Sequence, residues 1–193
     1  MSKPSAEANV VPLFALERRE DDALMALARG GNREAFEALV VRHQRAVLRI
    51  AAKYLGEVSA AKDACQLAFL EIFRDLNQYR PQGRFPHYLR RVVLNQCHQA
   101  ARRGRMIERA PVEPPAISPL QPDEAILAEE RRRLVDAQIA KLSDKLRDVV
   151  VLRYAGEHPL EEIATILELP LGTVKSRLFS AMNELSAALK ELP

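Results

Sequence analysis

Between Ala110 and Asp123 the chain reads APVEPPAISPLQPD, and five of its twelve prolines fall in those fourteen residues. Proline fixes φ and lacks an amide donor, so no helix runs through such a stretch and no central strand contains it. The segment reads as an extended, semi-stiff linker. The residues on its two sides therefore share no continuous element, and each side must bury its own core. At 193 residues the chain is long enough for one large or two small domains, and the proline run selects two. Ala and Leu are plentiful, glycines number only seven, and strand-like alternation is hard to find, which favours helices. The expected fold class is all-α: two small helical domains, residues 21–107 and 124–193, joined by a Pro-rich linker at 108–123 and preceded by a loose polar arm at 1–20. The second domain, of about seventy residues, lies near the lower size for independent stability.

In the first domain a short helix is expected over Ala23 to Arg29, closed by Gly30-Gly31. Asn32 is placed to cap a long helix reaching Leu55, with Phe36, Leu39, Val40, Val47, Ile50 and Tyr54 at helical spacing. A third helix is read from Ser59 to Tyr79, with Ala61, Cys65, Phe69, Ile72, Phe73 and Leu76 on its packed side. PQGRFP marks a turn. Pro86 suits the first turn of a fourth helix, read to Arg103.

Charge is concentrated. The net value is +3, yet Arg80 to Arg109 holds eight arginines against one acid, Glu108, and carries +7. The remainder must sum to −4. A basic block in an otherwise acidic chain is a polyanion footprint, or else a solvated helix face. On the fourth helix Phe85, Tyr88, Leu89, Val92, Val93, Cys97 and Ala100 share one sector. His87, Arg90, Arg91, Asn95, His98, Arg102 and Arg105 share the opposite one, with Leu94 an apolar exception. Such a face matches a phosphate backbone. Asn95 with Phe85 and Tyr88 suits exposed bases, held by stacking and cations; both aromatics also fit a plain core role.

Near the C-terminus, LEEIATILELPLGTVKSRLFSAM (Leu160 to Met182) reads as two helices around a break at Glu168 to Gly172. Ile163, Ile166 and Leu167 point inward on the first, Val174, Leu178 and Met182 on the second. Lys175, Ser176 and Arg177 then lie outward near the start of the second helix, as recognition residues do in a helix-turn-helix. An ordinary helical hairpin shares the pattern.

Other classes find little support. No nucleophile–base set, metal-ligand spacing or phosphate-binding glycine loop is visible, so no cofactor and no catalysis are expected. His43, His87, His98 and His158 are scattered. Cys65 and Cys97 read as small core residues rather than a disulfide framework, which fits a reducing cytoplasm. No apolar run approaches a membrane span and no signal peptide is visible.

The two halves together resemble an extracytoplasmic-function sigma factor of bacterial RNA polymerase. NREAFEALVVRHQRAVLRIAAKYLG, AKDACQLAFLEIFRDLNQYR and FPHYLRRVVLNQCHQAARR look like the family's region 2. LSDKLRDVVVLRYAGEHPLEEIATILELPLGTVKSRLFSAMNEL looks like region 4. The resemblance implies a chain that directs core polymerase to promoters. It implies clamp contact through Asp63, Gln66, Phe69 and Arg74. It implies minus-ten reading and melting through Tyr88, Arg90, Arg91, Asn95, His98 and Arg102. It implies minus-thirty-five reading through Thr173, Lys175, Ser176, Arg177 and Phe179. Implied partners are core polymerase at its clamp and flap, promoter DNA, and an anti-sigma factor. The family usually has Glu where Leu67 follows Gln66, Trp where Tyr88 stands, and often Arg where Ser180 stands. Two rival readings are a helix-turn-helix regulator that binds duplex DNA without joining polymerase, and a helical adaptor with no nucleic-acid role. Both a compact and an open arrangement of the domains remain consistent with the sequence.

Overall fold

A computed structural model describes residues 16, 18–107 and 124–190, with side-chain detail outside 105–107 and 124–132. The expected linker at 108–123 and all but a few residues of the expected arm at 1–20 lie outside the described residues. The fold is all-α. Eight α-helices are described: α1 Asp21–Arg29, α2 Arg33–Leu55, α3 Val58–Arg74 and α4 Phe85–Ile107 in the first half, then α5 Glu124–Lys141, α6 Asp144–Tyr154, α7 Leu160–Leu167 and α8 Leu171–Lys190. Helix α2 is the centre of the first bundle and packs on α1, α3 and α4; α8 plays that part in the second, against α5, α6 and α7.

Local chemistry sets most of the boundaries. Asn32 Oδ1 accepts the Ala35 amide at 2.8 Å, satisfying one of the orphan donors at the start of α2. Gly56 ends the same helix at φ 73°, a left-handed conformation that costs glycine nothing. The third helix is shorter than its apolar spacing predicts. It stops at Arg74, because Asp75 leaves the helical region (φ −140°, ψ 76°) and its carboxylate accepts the Asn77 amide at 3.2 Å. A 3-10 turn at Leu76–Gln78 follows. Phe73, expected on the packed side, is 39% exposed.

The break before α8 also differs from expectation. The left-handed residue is Glu168 (φ 54°), and Gly172 already belongs to the helix. Pro170 sits just outside, where its carbonyl accepts the Thr173 and Val174 amides at 2.9 and 3.2 Å and its missing donor costs nothing. Val174 is buried and Leu178 half-buried, but Met182 is 41% exposed and does not complete the inward stripe.

The loop leading into α4 is fixed by a polar hub. The Tyr79 hydroxyl donates to Asp22 at 2.5 Å and accepts the Arg84 amide at 3.1 Å. Asp22 also accepts the Gly83 amide at 2.7 Å. Arg29 donates to the carbonyls of Leu76, at 3.0 Å, and Tyr79. The start of the cationic helix is therefore tied to α1, more than fifty residues earlier in sequence.

The two domains are packed together. Lys53 pairs with Asp136 and Arg91 with Glu168; His87 meets Glu162 at 3.0 Å, His98 meets Asp148 at 2.8 Å, and Arg49 approaches Glu157 at 3.6 Å. Tyr54 donates to Asp144 at 3.2 Å. In each of these pairs the first domain supplies the donor or cation and the second supplies the carboxylate. Charge asymmetry along the sequence has become charge complementarity across a seam.

Candidate nucleic-acid interface

The cationic helix α4 is anchored by a fully apolar face. Phe85, Leu89, Val93 and Cys97 are almost completely inaccessible, so the opposite face is held in a fixed direction. Phe85 takes the core alternative: it packs edge-on against Tyr79 at 5.5 Å and near His43 at 5.6 Å. Tyr88 is half-buried, lies against Tyr79 at 5.4 Å, and carries the Arg91 guanidinium 5.9 Å from its ring centre. Leu94, the apolar exception on the polar face, is 1% exposed and belongs to the core.

The polar face is not a continuous open surface. Asn95 and Arg102 are exposed. His87, Arg90, Arg91 and His98 are each partly covered by the second domain. Arg90 is the most confined. Its Nε and one Nη are buried without a hydrogen-bond partner, and burial pulls its guanidinium below the ordinary arginine value. Periodicity assigned these residues to one face correctly; it carries no information about what a distant segment lays over that face. Two of the four histidines are also brought together. His87 and His158 converge on the two oxygens of Glu162, at 3.0 and 2.9 Å. Between the domains lies a cleft of about 340 Å³ lined by Arg80, Arg84, His87, Tyr88 and Arg91 among others.

The second cationic element, α8, projects from a small core of Val174, Ala181 and Leu185. Lys175 and Ser176 are exposed and Thr173 half-buried. The Ser176 hydroxyl donates to the Thr173 carbonyl at 3.0 Å. Phe179 is 69% exposed, an unusual cost for a phenyl ring with no core role. Arg177 was expected to point outward; it is half-buried and its charge acts on Asp148. Ser180 is exposed.

On α3, Asp63, Gln66 and Arg74 are exposed and Phe69 is buried, packed edge-on against Phe36 at 6.4 Å. Phe69 therefore serves the core, with one edge lining an apolar groove of about 520 Å³ between α2 and α3. Leu67, Leu70 and Phe73, 41%, 41% and 39% exposed, extend that apolar strip outward. Their spacing of three was a usable signal, since it widens the apolar sector of α3 beyond what one packed face needs. No local signal marks Glu162, Glu168 or Asp148, nor Arg147, whose charged side chain is buried.

Cys65 and Cys97 are buried free thiols. Burial pushes Cys65 up to about 11 and Cys97 higher still, so neither carries thiolate character near neutrality. Among the described residues no group of three or more His, Cys, Asp or Glu is placed to hold a metal ion, and no helix is long and apolar enough to cross a membrane.

A helical bundle with an exposed amide and cations on one helix, packed against a helix-turn-helix with an exposed basic start, has the footprint of a two-domain nucleic-acid-binding protein. The Sigma-70 region 2 family matches residues 39–106 and the Sigma-70 region 4 family residues 132–193. The RNA polymerase sigma-H factor of Pseudomonas aeruginosa is 28% identical over 188 residues, 92% of this chain and 97% of that protein. The ECF RNA polymerase sigma-E factor of Escherichia coli is 29% identical over 189 residues, 91% of this chain and 97% of that protein. Among solved structures, CnrH in complex with the cytosolic domain of CnrY aligns with a TM-score of 0.64 at 26% identity, over 89% of this chain and 98% of that one. The sigma factor RpoE bound to the anti-sigma factor NepR from Bartonella quintana shares the fold, with a TM-score of 0.58 at 22% identity over 82% of this chain and 98% of that one. The chain belongs to the sigma-70 family of RNA polymerase sigma factors, in its extracytoplasmic-function group. That family consists of transcription factors rather than enzymes.

Proposed function

We propose that the chain is an alternative sigma subunit that brings core RNA polymerase to specific promoters, with residues 21–107 and 124–193 as the working domains, 108–123 as the tether and 1–20 as an arm. The observation that carries this reading is the pair of polar, cation-bearing helix faces on separate domains. Asn95 and Arg102 stand open on α4; Lys175, Ser176 and Phe179 stand open on α8. In this reading the start of α8 enters the major groove of the minus-thirty-five element. Thr173, Lys175, Ser176 and Arg177 make polar contacts there, and the Phe179 ring suits a thymine methyl. Helix α4 captures the non-template strand as the minus-ten element opens, through Tyr88, Arg90, Arg91, Asn95, His98 and Arg102. Binding an extruded base and its backbone offsets unstacking of a few kcal/mol per step. Because His87, Arg90, Arg91 and His98 face the second domain in the closed chain, the domains must part before α4 grips a strand.

Polymerase binding is assigned to Asp63, Gln66 and Arg74 at the clamp, with Phe69 supporting them from the core and Leu67 replacing a charged contact by an apolar one. The flap is assigned to the second domain. An anti-sigma factor is the expected antagonist, the cytoplasm the expected location, and no catalytic activity of its own is expected.

Run-off transcription with bacterial core polymerase on a library of promoter fragments tests this. Initiation should require the intact chain, occur at fragments sharing two spaced motifs, and fail with the double variant N95A/R177A. A duplex mobility shift without any transcript would instead identify a regulator that works without joining polymerase. Transcription unaffected by the double variant would refute the assignment of the two faces.

A further inference from the structure

Two histidine–carboxylate contacts cross the seam between the domains, His87–Glu162 and His98–Asp148, and the second is the more deeply buried. His98 on α4 and Asp148 on α6 approach to 2.8 Å, and Asp148 is only 7% exposed. We propose that the His98–Asp148 pair is a pH-sensitive latch, which holds the two domains closed while His98 is protonated and lets them part as pH rises. The latch concerns the conformation of the free chain; its consequence for DNA rests on the function proposed above.

The surroundings of the pair favour a cation at His98. Asp148 and Asp144 face it from α6, and the Tyr54 ring lies 5.5 Å away on α2. Arg102 on its own helix is the opposing charge. The Arg147 guanidinium lies 4.8 Å from the Tyr54 ring centre, and Arg177 of α8 faces Asp148. A carboxylate withdrawn from water needs a countercharge as well as a donor. Neutral imidazole gives the donor alone; imidazolium gives both. Consistently, the hydrogen bond to Asp148 raises His98 above the ordinary histidine value of 6.5, against the pull of burial. Burial raises Asp148, only partly offset by His98.

The sign follows by linkage. With His98 raised in the closed state and near its ordinary value when the domains part, the latch is at full strength below 6.5. It is lost as pH rises through the raised value. In the other titratable cluster, His158 is shifted the opposite way. Burial lowers His158, with Glu162 raising it and Arg90 and His87 lowering it further. His158 is held mainly by its own domain, through Glu162 and the Leu152 carbonyl. The closed state also leaves the buried Nε and one Nη of Arg90 without partners, which opposes closure.

Small-angle X-ray scattering on the full chain at constant ionic strength tests the latch. From about pH 6.5 to 8.5 the radius of gyration should grow, the closed-to-open ratio falling by at most about tenfold per pH unit for one linked proton. His98→Gln and Asp148→Asn should abolish that step, while His43→Gln, inside the first domain, should keep it. A wild-type radius that does not change, or a His98→Gln chain that keeps the step, overturns the proposal. NMR titration of the His98 ring in the wild-type chain supplies a readout that needs no variant: its midpoint must coincide with the expansion, and a mismatch overturns the latch equally.

Discussion

Arg147 is 3% exposed, yet its side chain carries a full charge. Its Nε donates to the Ile139 carbonyl at 3.0 Å, and one Nη donates to the carbonyls of Leu142, at 3.0 Å, and Ala140. Ile139 and Ala140 lie in the last turn of α5 and Leu142 just beyond it, where carbonyls run short of helical donors; the Ile139 carbonyl also accepts the Leu142 amide at 3.2 Å. The guanidinium also lies 4.8 Å from the centre of the Tyr54 ring, across the seam. Replacing Arg147 by Ala removes hydrogen bonds to a charged donor, each contributing about 1.5–3 kcal/mol, and a desolvated cation–π contact of about 2 kcal/mol. The losses are not additive, because all share one anchor, and water reaches part of the exposed helix end. We therefore expect a net loss of about 4 kcal/mol. Urea unfolding followed by far-UV circular dichroism should show it as a midpoint lowered by about 2 M, taking a slope of about 2 kcal/mol per M. Arg147→Lys keeps the charge but not the planar fork, and should recover less than half of the loss. A loss under about 1 kcal/mol for Arg147→Ala would refute the argument, since the acceptors would then be satisfied without the arginine. Full recovery by Lys would show that charge alone matters.

Two further outcomes follow from other parts of the fold. Gly156→Ala would place a Cβ 2.6 Å from both the Leu152 carbonyl and the His158 ring; the backbone oxygen cannot move aside cheaply, so a loss of about 1–3 kcal/mol is expected in the same urea assay. Lys175→Ala should lower the salt dependence of duplex promoter binding, reducing the slope of log K against log salt by about 0.9 if the ammonium meets a phosphate. An unchanged slope with altered sequence preference would place it on a base edge instead.

What the sequence alone determined was local or periodic. The proline run divides the chain, helical spacing names the core positions of α2 and α4, and Asn32 and Gly56 mark the limits of α2. Each of these rests on interactions spanning a few residues, where residue type and order are the whole cause. The basic block was legible for the same reason, since charge is additive along a segment. The order of motifs was enough to reveal the family.

What the tertiary structure decided was which of those surfaces stay open. His98 and Asp148 are fifty residues apart, His87 and Glu162 seventy-five. No periodicity links such pairs, because their meeting depends on how two finished domains pack. For the same reason Arg147 gave no sign of its buried role, and the cations of α4 read as free. A helix face is fixed by its own sequence; whether it meets water, DNA or a carboxylate of the neighbouring domain is fixed only by what comes to rest against it.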